Sequence, residues 1–256
     1  MNKSRKKRLT FCTLIVLVLC TALFCSFGPD AKELETVVER RFYSFTPETI
    51  LDSLAQGETD VFTPIVAAPD LVNPASETTV HWDQNDFLLV AQAIHEQTWG
   101  EPLGAQNLFY LLFEMNCLDI EHGTFREAFI QSYKLIQTRD YKKRIERWIT
   151  ISLRNELIDI EELEYKPDLH EMKPIDLTQY QIIADEGLQI AEKNGGSEVR
   201  TKADNDCEIS VFSPTVNGEG WEVTYVNYPE KFVNTLFRIV IDSQTGQSNI
   251  LNSTHK

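Results

Sequence analysis

Ala-Gln-Asn-Leu-Phe-Tyr-Leu-Leu-Phe-Glu-Met-Asn-Cys, residues 105–117, holds an unbroken apolar and aromatic run from Leu108 to Phe113. It contains no Gly or Pro and is apolar nearly all round, with Leu108, Phe109, Leu111, Leu112 and Phe113, so it is read as a central, buried helix. Its neighbours have helical spacing too. Asp83 can cap a helix whose apolar face is Phe87, Leu88, Ala91 and Ile94 with His95, and Gly100 with Pro102 ends it. Thr124 can cap another that places Phe125, Ala128, Phe129, Ser132, Tyr133 and Ile136 on one side. Residues 83–138 are therefore expected to form a helical unit.

Downstream the pattern changes. Ile149, Ile151 and Leu153 alternate with Thr150 and Ser152, which is a strand period, and Arg154-Asn155-Glu156 can turn into a second strand through Leu157, Ile158, Ile160, Leu163 and Tyr165. The abundance of Glu keeps a continued helix open for residues 139–165. After Pro167 and Pro174, residues 177–193 read as a helix with Tyr180, Ile183, Ala184, Leu188 and Ala191 as its stripe, stopped by Asn194-Gly195-Gly196. Strands are expected at 207–212, 221–227 and 236–242, followed by a turn at Asp242-Ser243-Gln244-Thr245-Gly246 and a short strand at Ile250 and Leu251.

Upstream, Lys3, Arg5, Lys6, Lys7 and Arg8 precede 19 uncharged residues from Leu9 to Phe27. That order specifies a basic cytoplasmic tail (1–8) and a transmembrane signal anchor (9–27), with the rest of the chain outside the cytoplasm. The small-x-small triplet Ser26-Phe27-Gly28 is followed by Pro29, a poor cleavage context, so the segment is read as retained. Residues 28–82 combine short helices, at 30–43 and after Thr46-Pro47-Glu48, with a connection containing Pro64, Pro69 and Pro74. The 24 Lys and Arg less the five at the N-terminus leave 19 against 39 Asp and Glu, a charge near −20 that excludes nucleic acid as a partner. Of the five cysteines only Cys117 and Cys207 lie beyond the apolar segment. Export permits a bridge between them, and the sequence leaves bridge and free thiols equally open.

The C-terminal part resembles the PepSY-like modules of bacterial envelope proteins. The resemblance is carried by Ala191-Glu192-Lys193-Asn194-Gly195-Gly196, Trp221-Glu222-Val223-Thr224-Tyr225, and Phe237-Arg238-Ile239-Val240-Ile241-Asp242 with Thr245-Gly246, within residues 177–252. It implies a helix packed on a small antiparallel sheet in residues 139–256, and a role in holding or restraining partner proteins. It transfers no catalytic residue. The expected fold is thus α+β: an N-terminal membrane helix, a helical unit, then a helix on a small sheet.

Chemistry is sparse. His95-Glu96 begins a zinc-peptidase-like helix motif, but the second His of that motif falls on Trp99, and His122 would have to come from a loop. No Gly-x-Ser-x-Gly occurs, and the glycine pair at 195–196 follows a helix instead of opening one. Asp242 reads as a turn residue and Trp221 as core. No catalytic, cofactor or metal residue is assigned. The function expected is a non-enzymatic, membrane-anchored module that binds an envelope protein or supports an assembly. The alternative is an exported metal-dependent hydrolase using His95, Glu96 and His122, with the C-terminal module as inhibitor.

Overall fold

The computed structural model describes residues 36–66, 80–122, 125–137, 142–165, 173–215, 218–227 and 234–253. In chain order the elements are β1 (Thr36–Ser44), α1 (Ile50–Ala55), β2 (Thr63–Ile65), α2 (Gln84–Trp99), β3 (Leu108–Asn116), β4 (Glu127–Gln137), β5 (Lys142–Ser152), β6 (Leu157–Tyr165), α3 (Ala184–Ala191), α4 (Ser197–Lys202), β7 (Glu208–Ser213), β8 (Trp221–Asn227), β9 (Asn234–Ile241) and β10 (Ser248–Ser253). The strands make one ten-stranded sheet, ordered β10-β9-β8-β7-β3-β4-β5-β6-β1-β2. The same plan occurs twice: a helix, then a four-stranded antiparallel meander. α2 leads into β3 to β6, α3 and α4 lead into β7 to β10, and the first strands of the two meanders pair with each other, Phe113 opposite Val211.

This architecture corrects the expected membrane helix, helical unit and small sheet. Residues 108–116 and 127–137 are strands, and one sheet runs through 83–138 and 139–256 alike. The physical reason lies in β3. Leu111, Phe113 and Met115 are buried on one face, while Tyr110, Leu112 and Glu114 are half-buried on the other. A strand apolar on both faces reads as a continuous run that periodicity cannot separate from a buried helix. In β4 the misreading has a different origin. Four-residue spacing is even, so 129 and 133 share a face in a strand as well as in a helix. Of the expected helix at 30–43, residues 30–35 lie outside the described residues and the rest is replaced by β1, rich in Val, Phe and Tyr. The proposed anchor at 9–27 lies outside the described residues, and among the described residues no helix is long and apolar enough to cross a membrane.

Elsewhere local signals match the elements. Asp83 accepts hydrogen bonds from the Asn85 and Asp86 amides at 2.7 and 3.0 Å while Asp86 returns one to the Asp83 amide, a capping box, and Gly100 ends α2 with φ +67°. Residues 139–165 contain a hairpin, β5 and β6, turning at 153–156. The helix expected at 177–193 is corrected: a short 3-10 turn, Leu177–Gln179, precedes α3, and Asn194-Gly195, expected to stop the helix, only kinks it before α4. Gly196 is required there, since a Cβ would stand 2.5 Å from the Tyr225 hydroxyl.

Among the described residues, the longer helices α2 and α3 lie on one face of the sheet. Phe113 in β3 touches Phe87 of α2 at 6.0 Å between ring centroids and Trp221 at 6.2 Å, and Trp221 packs under Gly187 of α3. A disulfide between Cys117 and Cys207, Cα atoms 5.3 Å apart, joins the end of β3 to the start of β7. The helix tips are tied as well. The Gln84 amide donates to Asp185 Oδ2 at 3.0 Å, and the Ala184 amide donates to the Gln84 side chain at 2.7 Å.

Burial pushes the Asp185 carboxyl up from 3.8 to about 6, with the nearby Asp83 and Asp86 carboxylates adding to the effect. A carboxyl raised in the folded state binds more protons there than in the unfolded chain between about pH 4 and pH 6. Stability therefore falls as pH rises through that window, and above it the cost is constant. Asp185→Asn keeps an acceptor for Gln84 and removes the charge. It is expected to raise stability at pH 7 by roughly 2 kcal/mol, a gain that vanishes near pH 4 in paired urea melts.

Candidate functional site

Strand register places three rungs of side chains on the sheet face opposite the helices. One runs Glu161, Trp148, Gln131, Tyr110; the next Asp159, Thr150, Phe129, Leu112, Phe212, Glu222, Val240; the third Ser152, Glu127, Glu114, Ser210, Thr224, Arg238. The middle of this face is aromatic. Tyr110 lies 6.5 Å from Trp148 and 6.4 Å from Phe212 between ring centroids, and Leu112 and Phe129 adjoin them. All five are half-buried.

Carboxylates border the rings. Glu114 and Glu127 stand directly opposite each other on β3 and β4, an unfavourable like-charge pairing. Each accepts a serine hydroxyl, Glu114 from Ser210 at 3.1 Å and Glu127 from Ser152 at 3.0 Å. Burial pushes both carboxyls up; Glu127 and Glu208 reinforce the shift at Glu114, while at Glu127 the Ser152 hydrogen bond and the Arg154 charge oppose it. Glu222 is 1% exposed; its Oε1 accepts from Arg238 Nε, while its Oε2 is shielded from water with no hydrogen-bond partner among the described residues. The Trp148 indole N–H is likewise shielded and unpartnered. Burial, with the Glu114 and Glu222 charges, raises the Tyr110 phenol.

The residues singled out from sequence lie elsewhere. His95 is fully buried on the helix side, its Nδ1–H donating to the Glu101 carbonyl at 2.7 Å and its Nε2 facing the Ser132 hydroxyl at 3.1 Å. Burial holds its imidazolium below the ordinary range. Both ring nitrogens are thus occupied within the protein, and Trp99 packs edge-on at 4.8 Å, itself capped by the Arg147 guanidinium. Glu96 is exposed, and the backbone of His122 sits in a short 3-10 helix, Cys117–His122, away from α2 in sequence. Among the described residues no three His, Cys, Asp or Glu side chains are grouped as a metal site. Asp242 accepts the Gln244 and Thr245 amides, at 3.0 and 2.7 Å, as turn chemistry predicts, and Trp221 is core. A groove of about 440 Å³ lies between Ile120, Asp185, Leu188 and Arg200, but Glu192 in its wall is already bound by Arg200 and by the Tyr225 hydroxyl.

No side chain on the helix-free face was singled out as a site residue, although Glu222, Thr224, Arg238 and Val240 fall within the stretches that carry the PepSY-like resemblance. Once 108–113 is a strand, its apolar residues at both parities give it two faces to cover.

No protein-family model matches the chain, and no curated protein matches it. A solved structure, the full-length peroxisomal multifunctional enzyme type 2 from Drosophila melanogaster, aligns with 82% of this chain and 46% of its own at 11% identity, with a TM-score of 0.22. That similarity is too low to carry an argument about fold or function.

Proposed function

We propose that this chain is a non-catalytic protein-binding module acting outside the cytoplasm, with the helix-free face of the sheet as its docking surface. One observation carries the reading: β3 is apolar on both faces while, among the described residues, the helices lie on only one. Antiparallel sheets that face water on one side alternate apolar with polar, and a row of half-buried aromatic residues at a sheet's centre has the composition of an interface core. The Cys117–Cys207 bridge supports an oxidising compartment. The resemblance of residues 177–252 to modules that hold or restrain partners supports the same function.

Site-specific photocrosslinking tests the docking surface in the cells that make the protein. A benzophenone amino acid at position 212 is expected to give a discrete adduct, and the same group at Leu89, 44% exposed on α2, none. Adducts from both positions, or from neither, sink the reading. With the partner identified, Trp148→Ala is expected to weaken the complex about 100-fold, as truncation of a central aromatic anchor does.

A further inference from the structure

We infer that the docked partner presents a cationic surface, arginine above all, with guanidinium groups stacked on Tyr110, Trp148 and Phe212 and paired with Glu114, Glu127 and Glu222. The inference rests on the helix-free face being the docking surface and adds the chemistry of what occupies it. Three features converge on a planar cation. The opposed Glu114 and Glu127 carboxylates repel each other, a repulsion that Arg154 offsets at Glu127 and that a cation beside Glu114 would offset further. Glu222 Oε2 is a buried acceptor lacking a donor among the described residues, although Arg238 serves the other oxygen. The rings beside these acids offer π faces, and guanidinium stacks on such faces while keeping its N–H groups free for carboxylates.

The molecule already uses this pairing internally, with Arg147 over Trp99 at 4.7 Å and Arg40 over Phe42 at 5.0 Å. A second copy of the chain is a poor occupant. Each copy carries a formal charge of −15, and a self-complementary contact would bring the same carboxylates together.

The test uses octa-arginine, octa-lysine and octa-glutamate as probes against the 15N-labelled full chain, with affinity from calorimetry and location from amide shifts. Octa-arginine is expected to bind more tightly than octa-lysine, with the largest shifts at residues 110, 148 and 212 and no binding of octa-glutamate. Glu114→Gln combined with Glu127→Gln keeps both serine hydrogen bonds and is expected to weaken octa-arginine about tenfold. Shifts scattered over the acidic surface, or equal affinity in the double variant, would mean non-specific attraction and overturn the inference. If no cationic peptide binds although position 212 still crosslinks, the docking face stands and the cationic partner is wrong. Failure of crosslinking as well removes both.

Discussion

Replacing Cys117 and Cys207 by serine is expected to lower the thermal unfolding midpoint by roughly 10 °C. The bridge spans 90 residues of sequence, and in the chain-entropy account closing a loop of that order restricts the unfolded state by about 4 kcal/mol. For a domain of about 200 residues each kcal/mol moves the midpoint by about 2–4 °C. Position strengthens the case. The cysteines sit where β3 ends and β7 begins, and the Cys117 amide also donates to the Cys207 carbonyl at 2.8 Å, so the bond clamps the two meanders at their common border. Calorimetry of the Ser/Ser variant and of wild type with and without dithiothreitol measures it. An unchanged midpoint in both comparisons would show that the bridge contributes nothing.

Trp221→Ala is expected to cost about 4 kcal/mol, the largest loss from a single core truncation here. Trp221 is fully buried, its indole N–H donates to the Ile182 carbonyl at 2.7 Å, and its ring meets Phe113 and Tyr180. Alanine would leave a cavity beneath α3 and an unsatisfied carbonyl in the segment leading to it. Trp221→Phe refills part of the volume and should cost about half as much. Urea unfolding of the two variants decides the matter, equal midpoints for Ala and wild type being the result that contradicts it.

Much of the C-terminal half could be read from residues alone. Strands lie at Glu208–Ser213, Trp221–Asn227 and Asn234–Ile241 because Val, Ile, Phe and Tyr there are punctuated by Pro214, Gly220 and Pro229, and the Asp242 turn is local chemistry. α2 was equally plain, since Asp83 and Gly100 mark its ends. The central strands were not. Leu108 to Phe113 owe their conformation to partners 20 and 100 residues away, Ile130 and Ser213 among them, and no window of sequence contains that pairing. The candidate face stayed hidden for the same reason. Tyr110, Trp148 and Phe212 are neighbours only after β3, β5 and β7 take their places, whereas His95 and Glu96, adjacent in sequence and suggestive of catalysis, serve packing and solvent.

The repeated plan has a further consequence. Two helix-and-meander halves joined through β3 and β7 have the arrangement of a two-fold dimer whose subunits have been fused into one polypeptide. In a true dimer every substitution near the axis is made twice, so a surface straddling the axis stays self-mirrored. Fusion lifts that constraint. Here one half supplies Tyr110, Phe129 and Trp148 and the other Phe212 and Glu222, a lopsided surface that two identical subunits could not make and that can fit a partner without symmetry of its own.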